Sequence, residues 1–173
     1  TSVRLGAPQR TGTTTASFVV AAIGASQTIS AVPPTVNPWP VGSNVQITDG
    51  ANTIMAQVTT VSTVSFVATT TAVVSGAVGN TMASSAVITP VTASSFTVAA
   101  LKASQSITLG SAAQAALFGP CSVIGVTDGA NTITATVTGV SGSVLTAITT
   151  AITAGAAGNV MAANALITST SSC

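Results

Sequence analysis

The feature that most constrains this chain is an internal repeat. Residues 48–54 (Thr-Asp-Gly-Ala-Asn-Thr-Ile) recur without change as residues 127–133, and residues 76–83 recur with two changes as residues 155–162. About 25 of about 42 positions from residue 48 onward are identical in the later copy, at constant spacing. The repeat predicts two small units of the same fold in tandem, arising from an internal duplication.

The repeat also sets the predicted domain boundaries. We expect an extended N-terminal arm over residues 1–15, a first unit over residues 16–90, and a second unit over residues 91–173 that ends in a short Ser/Thr tail. Units of about 75 residues are marginal alone. We therefore expect them to pack on each other, on other subunits, or on both. Pro90 is the only strand-breaking residue between the units, and no linker separates them. This predicts a close and rigid junction.

The hydrophobic periodicity is that of strands. Ile54, Ala56 and Val58 alternate with more polar residues, and the same alternation follows Ile133 in the second copy. Alternation with a period of two, in segments rich in Val, Ile and Thr, is typical of half-buried β-strands. The predicted fold class is all-β, with two tandem small antiparallel β-sandwich or barrel units.

Turn signals divide the strands in both copies. Asp49-Gly50 and Asp128-Gly129 predict hairpin turns. Residues 61–64 and 140–143 predict a second hairpin in each unit. Two Ala-rich segments, residues 112–117 and 151–157, are candidates for a helical turn. The prolines around Trp39 exclude a central strand there.

The charge content excludes several function classes. The chain has three Lys or Arg residues, two Asp or Glu residues and no His, so 3% of its residues are charged. Globular proteins average about 25%. So few ionisable groups predict no catalytic site, no metal site and no cofactor. Nucleic-acid binding is excluded as well, because it requires many cations to neutralise phosphates. A surface so poor in charge indicates that neighbouring subunits cover much of it.

A high mean hydropathy of +0.72 does not predict a membrane protein. A spanning helix needs about 20 predominantly apolar residues, and the best apolar stretch, residues 18–23, is followed by Gly24 and polar residues. No secretory signal is visible, because residues 1–6 lack an apolar core. A signal that is cleaved before residue 1 and the simple removal of Met explain the start of the sequence equally well. Cys121 and Cys173 are expected as two free thiols, with a bridge between them as the alternative.

The order of signals in each unit resembles the small β-repeat modules of tailed-bacteriophage virion proteins, which occur in head decorations, fibres and tail appendages. The resemblance rests on a Val-Gly-x-x-Val-x-Ile segment (residues 41–47), the Asp-Gly turn, a Gly-x-x-Gly-Asn segment (residues 76–80 and 155–159) and the closing strands around Ile88 and Ile167. The resemblance implies a structural or attachment role on a virion and brings no catalytic residues with it.

The second unit departs from this pattern. Pro120-Cys121 replaces Val41-Gly42, and Gly125 replaces Gln46. These differences indicate a different contact surface on the second unit.

The polar residues that resemble catalytic or metal-binding groups have simpler interpretations. Asp49 and Asp128 are interpreted as turn residues that bond their own backbone. A Ca²⁺ site at either turn would supply one carboxylate where several oxygens are needed. Lys102 and Ser104 have the spacing of a nucleophile pair on a strand, but the counterpart of Lys102 is Gly24 and no oxyanion donor is recognisable.

Three residues are candidate partner contacts. Trp39, between prolines, is either an interface anchor or a cover for the end of its own unit, as Phe118 would be in the other. Arg4 and Arg10 make the arm the most basic segment, and they would pair with acidic groups on another protein. The alternative for the arm is a frayed terminus.

These observations predict a capsid decoration (cement) protein of a tailed phage, on the outer surface of the capsid. Its expected partners are the major capsid protein or other virion proteins and further copies of itself, with a homotrimer favoured. Nucleic acid, membranes and small-molecule substrates are not expected partners. The alternatives are a tail fibre or baseplate component that touches the host, and a cellular surface-filament subunit. An enzyme is not expected.

Overall fold

A computed structural model describes residues 11–31 and 39–171 of the chain. Arg4, Arg10 and the segment 32–38 with its prolines lie outside the described residues, as do residues 172 and 173. The described part is all-β with antiparallel sheets, as predicted, and contains one short helix.

Among the described residues, eight strands form in the first half of the chain and seven in the second. The strands of the first half are β1 (Gly12–Thr13), β2 (Phe18–Val19), β3 (Ser26–Ser30), β4 (Asn44–Thr48), β5 (Thr53–Val61), β6 (Ser65–Ser75), β7 (Thr81–Met82) and β8 (Val87–Pro90). The second half has β9 (Phe96–Thr97), β10 (Ser104–Thr108), helix α1 (Ala112–Ala116), β11 (Val123–Thr127), β12 (Thr132–Ser141), β13 (Val144–Ala154), β14 (Val160–Met161) and β15 (Leu166–Ser171).

Corresponding strands occupy corresponding places in the two halves. The six-stranded sheet has the order β1-β8-β4-β5-β6-β3, and the five-stranded sheet has the order β10-β13-β12-β11-β15. When the second order is reversed, it reads β15-β11-β12-β13-β10. This matches, strand for strand, the order β8-β4-β5-β6-β3 of the first sheet. A two-stranded sheet accompanies each, β2 with β7 and β9 with β14.

Each half has its own hydrophobic core. In the first half, Ile47, Ile54 and Ile88 from the large sheet share a cluster with Met82 from the small sheet. In the second half the counterparts Val126, Ile133, Ile167 and Met161 form a separate cluster. The alternation seen in the sequence therefore marks the inward face of each large sheet.

The predicted hairpins are confirmed. β4 and β5 pair across the Asp49-Gly50 turn, and β11 and β12 pair across the Asp128-Gly129 turn. The longer hairpins β5–β6 and β12–β13 turn within the predicted segments.

Of the two predicted helical turns, one is confirmed and one is wrong. Helix α1 lies within the segment 112–117. The segment 151–157 does not form a helix, because β13 continues to Ala154 in hydrogen-bonded register with β12, with Ala151 opposite Thr134. A strand paired along its length outweighs the weak helical preference of a short Ala-rich stretch.

The two halves meet along β8 and β15. The chain continues from β8 into Val91, which forms a β-bridge with Leu166 at the start of β15. Val91 is fully buried. The junction is therefore made of backbone pairing and apolar packing, with no intervening linker.

Candidate functional site

The most regular polar arrangement in the structure is a cluster around Asp49, which we call the Asp–Asn cluster. Its other members are Asn52, Asn80 and the main chain at Ala83. Asp49 Oδ1 accepts hydrogen bonds from the N–H groups of Ala51 (3.0 Å) and Asn52 (2.7 Å). Its Oδ2 accepts from the N–H of Ala83 at 2.9 Å and from Asn52 Nδ2 at 3.1 Å. The carboxylate thus ties the hairpin turn to the loop after β7.

Asn52 extends the cluster to the Gly-Asn segment. Its Nδ2 also donates to the carbonyl of Thr81 at 3.2 Å, and its Oδ1 accepts from Asn80 Nδ2 at 2.9 Å. Gly76 has φ +78°, and a Cβ there would overlap Asn52 Oδ1. The close approach and the positive φ both require glycine at this position.

The second half contains the same cluster. Asp128 accepts from the N–H of Asn131 at 2.7 Å and from the N–H of Ala162 at 2.8 Å. Asn131 Oδ1 accepts from Asn159 Nδ2 at 2.9 Å, and Gly155 lies against Asn131. The residues that repeat most strictly in the sequence are those that build this cluster.

Hydrogen bonds to the two carboxylates lower their pKa values. The N–H of Ala83, followed by that of Asn52, lowers the pKa of Asp49 to about 2. The N–H of Ala162, followed by that of Asn131, lowers the pKa of Asp128 to about 2. Donors that bond the charged form stabilise it. At neutral pH both groups are ionised and saturated with protein donors, so they are poor proton acceptors and poor ligands for a cation.

The interpretation of Asp49 and Asp128 as turn residues accounts for the bonds within each hairpin turn. It does not account for the bonds from Ala83 and Ala162, which lie 34 residues away. No group of three or more His, Cys, Asp or Glu residues that suits a metal ion is found in the described ranges 11–31 and 39–171.

Lys102 is not on a strand as the sequence suggested. It lies in a turn before β10 with φ +65°, where its main-chain N–H donates to the carbonyl of Thr149 at 2.8 Å. Ser104 begins β10, opposite Ile148. The two side chains therefore do not share the face of one strand.

Trp39 lies in the core of the first half. It is 2% exposed, and its ring lies 5.5 Å from that of Phe66. Gly12 in β1 is so close that a Cβ there would overlap the indole ring. Phe118 is fully buried in the second core. The burial of Trp39 agrees with the second interpretation of this residue, in which it covers the end of its own unit.

The expectation of two free thiols is wrong, since the structure records Cys121 as disulfide-bonded. Cys173, the only other cysteine in the sequence, lies outside the described residues.

Sequence reasoning missed Gln114, which is fully buried in helix α1. Its Oε1 accepts from the N–H groups of Gly110 (2.8 Å) and Asn44 (3.2 Å), and its Nε2 donates to the carbonyl of Asn44 at 3.0 Å. A local signal was present. Ser111 caps the helix through its hydroxyl, and Gln114 stands three residues later, the spacing of a capping box. The sequence did not show that this glutamine reaches the first half.

Comparison with known proteins finds no match to a family model, to a curated protein or to a solved structure. No helix among the described residues has the length and hydropathy needed to cross a membrane.

Proposed function

We propose that this chain is a structural protein of a tailed-phage virion, and that it acts as a capsid decoration protein that stabilises the shell. In this proposal its two halves are tandem copies of one small sandwich-type β-module that arose by internal duplication. The single observation that carries the proposal is the state of the carboxylates. Both Asp side chains accept hydrogen bonds that hold turns and loops in place, so these carboxylates serve the architecture and are poorly suited to acid–base chemistry.

The exposed aliphatic residues support a role in contacts. Ile23 and Leu101 occupy equivalent turn tips of the two halves, and both are exposed. Val19, Val64 and Val160 are exposed as well. Scattered apolar residues on a surface with little charge suit many shallow contacts, and such contacts repeated by symmetry give avidity without one strong site.

The expected arm of residues 1–15 is too long, because Gly12 pairs with β8 and Thr14 is buried in the first half. Residues 1–10 are the proposed attachment arm. They precede β1, which pairs with β8 through Gly12 opposite Ile88. Arg4 and Arg10 supply two of the three cations of the chain, and they would pair with acidic groups of the major capsid protein. The arm would then contribute the charged part of an otherwise apolar attachment.

Binding to purified capsids tests this proposal. The full chain and a variant without residues 1–10 are mixed with undecorated shells, and bound protein is measured by co-sedimentation in low and high salt. We expect the full chain to bind, with modest loss in high salt because screening acts mainly on exposed charges. The shortened chain should bind more weakly while unfolding at an unchanged temperature.

Two results would count against the proposal. A full chain that stays in the supernatant at every salt concentration would exclude shell attachment. Binding that disappears steeply in high salt would exclude attachment that is mainly apolar.

A further inference from the structure

A groove of about 490 Å³ runs between the two halves. One wall is the side of the first large sheet that faces away from its core, which we call the first outer face; it includes Gln46, Met55 and Ala72. The other wall is the turn edge of the second half, which includes Asp128, Asn164 and Leu166. Within one chain, therefore, the turn edge of one half faces the outer face of the other.

The repeat supplies a second copy of each wall. The second outer face has Gly125, Thr134 and Ala151 at the positions of Gln46, Met55 and Ala72. These residues align across β11, β12 and β13 in the same register as their counterparts across β4, β5 and β6. The turn edge of the first half has Asp49, Ser85 and Val87 at the positions of Asp128, Asn164 and Leu166.

Burial shows which copies are covered. On the first outer face Met55 and Thr89 are each 8% exposed. Of their counterparts on the second outer face, Thr134 is half-buried and Thr168 is exposed. On the turn edges, Leu166 is half-buried, whereas its counterpart Val87 is 44% exposed. These three matched pairs differ in the sense expected if the contact between the halves covers the first outer face and the second turn edge. The pairs Gln46 with Gly125 and Ala72 with Ala151 are half-buried in both halves.

We propose that the free turn edge of one chain, around Asp49 and Val87, docks on the free second outer face, around Thr134, of another copy of the same chain. The occupant is a second copy because the molecule already contains this contact once. The Asp–Asn cluster fixes the free turn edge with the same hydrogen bonds, at nearly the same lengths, as the edge that is used inside the chain.

The chemistry of the two free surfaces also fits. Among the residues that the structure describes, no Lys or Arg stands on either one. The carboxylate of Asp49 already accepts hydrogen bonds from its own turn and from Ala83. Thr134 and Val87 are smaller than Met55 and Leu166, so less apolar area is available than in the contact inside the chain. The association is therefore weaker than the internal junction and reversible, and it gains strength when a shell holds copies side by side.

Such a contact is heterologous, since two different surfaces meet. It closes into a ring when the rotation per copy divides a full turn, three copies giving a trimer, and otherwise continues as an open chain. The inference adds to the proposed function the two surfaces through which neighbouring copies on a shell would associate.

Sedimentation equilibrium of the full chain over a wide concentration range tests the contact. We expect the mean mass to rise with concentration. Thr134→Glu places a charge on the second outer face and should weaken association at least tenfold. Thr134→Met restores the residue that the first half uses and should strengthen it several-fold. Ser141→Glu and Ser141→Met, at the exposed end of a hairpin, are the matched controls and should leave association unchanged.

Thermal unfolding of each variant establishes that the fold is retained. A chain that remains monomeric at every concentration, in both the natural and the Thr134→Met forms, would overturn the inference. Association that is equally strong in the Thr134→Glu and Ser141→Glu variants would overturn it as well. The capsid co-sedimentation assay separates the two claims. Shell binding by a protein that never self-associates contradicts this inference and leaves the proposed function standing.

Discussion

The side-chain amide of Gln114 bonds both the N–H and the C=O of Asn44, at 3.2 and 3.0 Å, and so joins the second half of the chain to the first. Asn44 begins β4, and Gln114 lies in helix α1. A buried amide that satisfies both main-chain groups of one residue acts in the manner of a neighbouring strand. The junction therefore depends on one side chain as well as on the pairing of Val91 with Leu166.

Removing this side chain should weaken the junction. Gln114→Ala removes the acceptor of the half-buried N–H groups of Gly110 and Asn44, while the C=O of Asn44 keeps its bond from the N–H of Val91. The change should lower the free energy of unfolding by about 2–3 kcal/mol. Gln57→Ala is the control, because Gln57 is exposed and bonds only the side chain of Asn44. Chemical denaturation of both variants measures the difference. Equal midpoints for the two would contradict the role given to Gln114.

The Asp–Asn clusters should govern stability in acid. Both Asp residues have a pKa of about 2 in the folded chain, below the value of about 3.9 for an unfolded chain. Their stabilising contribution is complete above the unfolded value and is lost as the pH falls toward 2. With no His and no Glu in the sequence, we expect a nearly flat unfolding temperature from pH 5 to 7 and a decline below pH 4.

Asn substitution provides the control for this effect. Asp49→Asn and Asp128→Asn should each lower the unfolding temperature at pH 7, because an amide cannot accept all the hydrogen bonds of the carboxylate. The double variant should lose most of the acid-dependent decline. A double variant with an unchanged pH profile would show that other groups cause it.

Gly12 should tolerate no side chain. A Cβ at Gly12 would overlap the ring of Trp39, so Gly12→Ala forces β1 or the indole to move and should cost about 1–3 kcal/mol of folding free energy. Gly139 is the matched control, since no atom lies within 4 Å of a Cβ built there. Calorimetry of the two Ala variants tests this, and a destabilised Gly139→Ala with an unaffected Gly12→Ala would contradict it.

The disulfide of Cys121 should stabilise the second half. The only other cysteine in the sequence is Cys173, and a bridge between them closes a loop of about 50 residues, for which chain entropy gives about 4 kcal/mol. Reduction should lower the unfolding temperature of the natural chain and leave that of Cys121→Ser unchanged. Peptide mapping without reductant identifies the bonded pair. Equal effects of reductant on both proteins would contradict the assignment.

Much of the fold followed from local signals in the sequence. The alternation from Ile54 to Val58 marked a buried face, and Asp49-Gly50 marked a hairpin, because both patterns depend on neighbours along the chain. The segment 151–157 was misjudged since its pairing partner, β12, decides its conformation. The role of Gln114 and the bonding of Cys121 depend on contacts between segments distant in sequence, which no local pattern encodes. The full set of hydrogen bonds to Asp49 was hidden for the same reason, as the donor at Ala83 lies 34 residues away.

Locating the protein on intact particles by electron cryomicroscopy tests the central claim most directly. The account predicts density for the two β-modules on the outer surface of the capsid, in copies that follow the symmetry of the shell. Density confined to the tail, or particles that lack the protein altogether, would contradict it.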